Sequence, residues 1–191
     1  MNTELFLDRH RPLHEELIPE LMNGLSETHL RSRAHPGLPP IAWLLWHMAR
    51  GEDVGANRMV SDGVQVLDSG RWLDRLGIPN RDFGTGMTAR AVDQLASRIA
   101  LKELEGYRRA VAESTRQVAR NLAQDELKSR LQQHHVRQVL FEEGVAGPGA
   151  EWVEPHYIGQ TRGWCLMHCC LTHNFYHLGQ AVLVKKLVTA T

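Results

Sequence analysis

The chain of 191 residues has no apolar run approaching the roughly 20 residues that cross a bilayer as a helix, so a membrane span is not expected. Its first residues, Met1-Asn2-Thr3-Glu4, lack the basic and apolar regions of a secretion signal, and a cytoplasmic protein is expected. Charge of one sign is also lacking. Lysine plus arginine and aspartate plus glutamate stand at 22 each, which leaves no basic excess to neutralise a nucleic-acid backbone. Cysteine is scarce: Cys165, Cys169 and Cys170 crowd little more than one helical turn, where disulfide geometry is poor, and read as reduced thiols. Strand-like alternation is rare, and no repeat or low-complexity tract stands out. The length suits one domain, taken here as 1–191.

What the chain does have is helical periodicity. Phe6, Leu13, Leu17, Leu21 and Leu25 predict a first amphipathic helix from about Leu5 to Leu25, started or kinked by Pro12 and Pro19. The prolines and glycine between Ser32 and Pro40 break the chain, and Pro40 suits the first turn of a second helix running to Val60. Ser61 to Thr88 reads as a long crossover with one short helix at Arg71 to Leu76. Ala91, Leu95, Ile99, Leu104, Tyr107, Val111, Val118 and Leu122 hold helical phase for a third helix, with a break near Ser97. Gln124 to Glu143 predicts a more polar helix stopped by the Gly144 to Gly149 stretch. A fourth main helix follows from about Tyr157 to Val188. The expected fold is all-α: a four-helix bundle with long crossover connections and an extra helical segment before the last helix.

Histidine is the abundant residue, eleven in all. Chance alone would give about 0.6 pairs four residues apart, so the two pairs present, His10/His14 and His173/His177, mean little by spacing. Placement separates them. His173 and His177 continue the inner stripe Leu166, Cys170, Ala181 and Val184, one turn apart, and can aim at a single ion. His47 lies among Trp43, Leu44, Gly51 and Val54, with Arg50 as the only charge beside it, and is the third ligand this pattern favours. Three neutral imidazoles leave coordination positions open on a divalent ion, the arrangement of a catalytic rather than a closed structural site. His10 and His14, bracketed by Arg9, Arg11, Glu15 and Glu16, read as solvent-exposed, and His134 and His135 as surface residues. His168, five residues before His173, falls on another face of a regular helix. Cys169 and Cys170 can serve as a fourth ligand or as small apolar packing residues. His29, His35 and His156 carry no assignment.

The unit Trp43-Leu44-Leu45-Trp46-His47-Met48-Ala49, followed by Leu171-Thr172-His173-Asn174-Phe175-Tyr176-His177-Leu178-Gly179-Gln180, resembles the DinB/YfiT-like proteins over most of the chain. The resemblance implies a four-helix bundle whose metal, zinc or nickel first and iron or manganese after them, sits on His47, His173 and His177. It also implies a small-molecule substrate and a low-molecular-weight thiol: characterised members include transferases and isomerases that use bacillithiol, mycothiol or glutathione. Two alternatives stand beside a thiol transferase, a metal-dependent hydrolase and a non-catalytic module acting in small-molecule binding or stress response. A homodimer is expected. Arg50, Glu52, Asp53, Arg162, Trp164 and Tyr176 lie on the same turns and could position substrate or pack. Residues 124–156 exceed a plain helix connection and suit a cover over the site or a dimer contact.

Overall fold

A computed structural model of the chain describes residues 2–190. Four helical columns carry it. The first, α1, opens at Thr3–Pro12, passes through a π turn at Leu13–Leu17 and ends as Ile18–Met22. Asn2 caps its start by accepting from the amides of Glu4 and Leu5. The second, α2, is Ile41–Asp53 carried on by a π segment, Val54–Val60. Helix α3, Ala89–Arg98, is capped by Thr88 and leads into the 21-residue α4, Leu101–Asn121. The last column, α5, runs as Arg162–Met167, a π turn at His168–Thr172 and the long stretch His173–Thr189.

Helix α2 is the hub. Every residue from Ile41 to Asp53 except Gly51 is buried, because α2 packs against α4 on one side and α5 on the other. A helix apolar on all faces must be enclosed, as Trp43, Leu44, Leu45 and Trp46 already imply. Its charged residues are held from within. Arg50 donates to Asp53, Tyr107, Gln65 and the Arg81 carbonyl, and Asp53 accepts in addition from Asn57 and from the amides of Val66 and Leu67. This network fastens the 61–88 crossover to the bundle, so Arg50 and Asp53 are structural rather than substrate-facing.

Three boundaries differ from the sequence reading. The break after α3 falls at Ile99 and Ala100 rather than at Ser97, because the Ala100 amide donates to Leu76 and anchors the chain there. The polar helix expected over 124–143 is in pieces, Gln124–Lys128, Gln133–Arg137 and a π turn at Gln138–Glu142. Between the first two, Ser129 and Leu131 exchange backbone hydrogen bonds with Gly159, Gln160 and Arg162, which costs the helix its continuity. That pairing also delays the last column to Arg162, where Thr161 caps it.

Candidate metal centre

His47, His173 and His177 meet where α2 and α5 face each other. One ring nitrogen from each lies within 4.8 Å of the others. His47 Nε2 stands 3.0 Å from His173 Nε2, and the His47 and His177 rings meet edge-on with centroids 4.6 Å apart. Outer partners fix which nitrogens point inward. The Phe83 carbonyl must accept from His47 Nδ1, and Gln180 Oε1 from His177 Nδ1, so Nε2 of each is left with a lone pair aimed at the common point. His173 Nδ1 is buried without a partner.

The chain makes room for this arrangement. A Cβ at Gly51, one turn beyond His47, would lie 3.0 Å from the His173 ring. Gly84 has φ +86°, and a side chain there would collide with Trp46 and Trp43. That close passage over the two tryptophans is what carries the Phe83 carbonyl down to His47. Asp82 accepting from the Gly84 amide, and the Phe83 amide donating to Val145, hold the loop in place.

All three imidazoles are kept neutral. Burial drives His47 down to about 3, with His177 adding to the effect against the Phe83 hydrogen bond. Burial, then His47 and His177, puts His173 well below the usual range. His177 is also lowered by burial, with Gln180 opposing. Neutral imidazole is the ligand form. Lone pairs converging in a buried space, with supporting acceptors already engaged, fit a divalent cation.

The nitrogens open onto a cavity of about 660 Å³. Its walls are Trp43, Val54, Phe83, Met87, Val92 and the 152–157 segment, so part of the long insertion does cover the site. His156 and His168, unassigned or set aside by the sequence, stand on that wall with their Nε2 atoms 3.3 Å apart. The helical-wheel reading of His168 fails because His168–Thr172 is a π turn. Such a turn closes i to i+5, so a residue five before His173 returns to nearly the same side, and the two ring centroids are 6.5 Å apart. Trp164 stacks on His168 at 4.6 Å. Cys169 borders the cavity, but it packs on Gly55 and its sulfur contacts Tyr157 and Cys165. Tyr176 is largely exposed on the outside of α5.

The other H-x-x-x-H pair is a correction. His10 and His14 are not solvent-exposed: His10 is fully buried, and both rings pair with Glu52, at 2.8 and 3.0 Å. Arg9, Arg11, Glu15 and Glu16 do surround them in sequence, but a helix turns neighbours outward while i and i+4 stay on the inner face. His135 is likewise half-buried and bonds the Arg58 carbonyl rather than lying free on the surface. Among the described residues, the Glu52 cluster is the second group whose spacing could hold a metal.

A family model described as the DinB superfamily matches residues 13–181. The chain belongs to the DinB superfamily. Among solved structures, one described as the crystal structure of the conserved protein of locus from Enterococcus faecalis superposes with a TM-score of 0.73. It is 17% identical, over 99% of this chain and 98% of that one. This likeness shows the fold alone. The curated proteins offer no match to this chain. No described helix is long and apolar enough to cross a membrane.

Of the supporting residues, Gln180 was visible in the unit His-x-x-x-His-Leu-Gly-Gln, and Gly51 in its place one turn after His47. Phe83 acts through its backbone, and no side-chain pattern announces a carbonyl.

Proposed function

We propose that this DinB-superfamily chain, as one domain over 1–191, binds a divalent metal through His47, His173 and His177 and transfers a low-molecular-weight thiol to a small apolar electrophile. The observation that carries the reading is the convergence of three neutral imidazoles at the floor of a cavity walled by Trp43, Phe83, Met87 and Val92. A bound zinc or nickel ion would supply Lewis acidity, which favours thiolate at neutral pH.

The chain's own residues account for the rest. The apolar walls exclude water and favour an uncharged acceptor of aromatic or alkyl character. Burial and the adjoining His156 lower His168, so at neutral pH it is unprotonated and can take the proton that a thiol releases. The sulfur then forms a bond to the electrophilic carbon, and the leaving group departs with its electron pair. Three ligands with an open side also distinguish this site from a closed structural one.

The same reading includes a homodimer. The final stretch of α5 is apolar on its outer side as well as its inner one, with Phe175, Val182, Leu183 and Leu187 all exposed. A helix hydrophobic all round belongs inside an interface.

The test is direct. Purified protein reconstituted with zinc or nickel should carry about one equivalent by mass spectrometry, and His177→Ala should carry less than a tenth. Turnover of a chloro-aromatic acceptor with bacillithiol, mycothiol or glutathione should require that metal. Metal uptake without turnover by any of the thiols would reduce the protein to a binding module, and absence of uptake would end the proposal.

A further inference from the structure

On the other side of α2 lies a second cavity, of about 1110 Å³, between α1 and α4. It shares no lining residue with the histidine cavity. Arg108 of α4 lines it and is only 8% exposed. No described residue makes a hydrogen bond or a close ion pair with this guanidinium. Burial lowers Arg108 to about 10 against the attraction of Glu52 and Glu105, so it remains a cation at neutral pH. Its nitrogens keep some accessible surface and so reach the open space of the cavity, where a ligand's acceptor can meet them.

The surroundings define that ligand. Arg109 is occupied by Glu105, and Arg116 by Glu113 at 2.8 Å and Glu15 at 3.3 Å. Lys102, Arg108, Arg109 and Arg116 face Glu15, Glu20 and Glu105, with His14 deeper on the wall and tied to Glu52. Glu105 neutralises Arg109, and Glu113 with Glu15 neutralises Arg116, so the buried donor left open on this wall is Arg108, and one guanidinium suits one carboxylate better than a phosphate dianion. The remaining walls are apolar, with Ile18, Met22, Leu45, Leu101 and Leu104 among them. We propose that this cavity binds an amphipathic monocarboxylate, its head group held by Arg108 and its hydrocarbon chain laid on those five residues. The planar guanidinium offers the paired donors that a carboxylate takes. This site stands apart from the metal centre, and its test does not depend on metal.

Decanoate titrated into the full chain, followed by calorimetry, should bind saturably at one equivalent per chain and far more tightly than decanol. Arg108→Met keeps the methylene packing and removes the charge. It should weaken decanoate at least tenfold while leaving decanol unchanged. The same variant without ligand should melt at the wild-type temperature or above, since an unpaired buried charge has been removed. Decanoate binding no better than decanol, or undiminished in Arg108→Met, would overturn the proposal. So would decyl phosphate binding more tightly than decanoate, or a ligand-free Arg108→Met that melts several degrees lower, which would make Arg108 a structural residue.

Discussion

Two histidine clusters share this bundle, each built on a four-residue histidine step joined by a side chain from α2, and they reach opposite electrostatic solutions. At the cavity floor, His173 and His177 meet another imidazole, His47, and three lone-pair donors converge with no counter-charge among them. In the core, His10 and His14 meet Glu52: one carboxylate oxygen bonds the His10 ring at 2.8 Å, and the other stands 3.0 Å from His14 Nε2 and accepts from Asn174 at 2.6 Å. The first arrangement fits a cation. In the second a carboxylate takes that place: burial would raise Glu52, but His14 and His10 together outweigh it and hold the carboxyl well below the usual range. The outer partners differ in part: His47 and His177 each have an acceptor behind the ring, whereas His10 Nδ1, like His173 Nδ1, has none. Spacing makes a pair; what stands opposite the pair decides whether it asks for a metal.

The largest effect that would separate the clusters is on stability. Glu52→Ala strands two histidines and Asn174 in the core, and breaking a buried charge network costs about 3–5 kcal/mol. Urea unfolding of the metal-free variant should show that loss, and zinc should not restore it. His177→Ala, at a half-buried site, should move the metal-free transition by less than about 1.5 kcal/mol while abolishing the rise in stability with metal. Equal losses in the two variants would erase the distinction.

Acid provides the next separation. His47 is lowered from 6.5 to about 3, so the fold prefers its neutral form. That preference contributes fully above about pH 6.5 and is lost as pH falls from there toward 3. Glu52, lowered below 4.5, contributes above pH 4.5 and is lost only in stronger acid. Metal-free protein should therefore begin to lose melting temperature as pH drops through 6.5, in part through His14, which burial also lowers. His47→Leu should flatten that slope between pH 6.5 and 5. A slope left unchanged would place the acid sensitivity in His173, His177 or His14 instead of His47.

Much of the scaffold was legible in the sequence because the strongest signals were local. Apolar stripes with capping residues gave the four columns, the Arg71 to Leu76 turn and the burial of α2. The convergence of His47 with His173 and His177 followed from the rule that an apolar face looks inward, strengthened by the family resemblance. What escaped was nonlocal or depended on helix type. Glu52 could not be matched to His10 and His14 without knowing that α1 crosses α2 there. His168 was misplaced because a wheel drawn at 100° per residue assumes no π turn. The 124–143 helix fractured on backbone pairing with residues 159–162, which side-chain periodicity does not encode.

Tuning the metal centre from behind should give a moderate effect. Gln180→Leu removes the acceptor that orients His177, and losing such support typically costs 10–100-fold in metal affinity. Competition with a chromogenic chelator reads this directly. Asn174→Leu, which acts on Glu52, should lower stability and leave metal affinity within a few-fold. If Asn174→Leu matched Gln180→Leu in metal affinity, the two clusters would have to be treated as one coupled unit, joined through adjacent residues of α5.

The smallest change tests the cover over the site. Trp152 is 65% exposed yet lines the metal-side cavity from the insertion. So open a ring buries little area on folding, and Trp152→Ala should shift stability by less than about 0.5 kcal/mol. Against an apolar acceptor the same ring is desolvated only when the cavity fills, so its removal should raise KM several-fold with kcat nearly unchanged, the mark of uniform binding. The Glu52 side of the bundle has no such dependence, and decanoate titration at Arg108 should be unaffected by the change. A fall in kcat with KM constant would instead mean that the insertion orders the reacting groups, giving the cover a part in the chemistry.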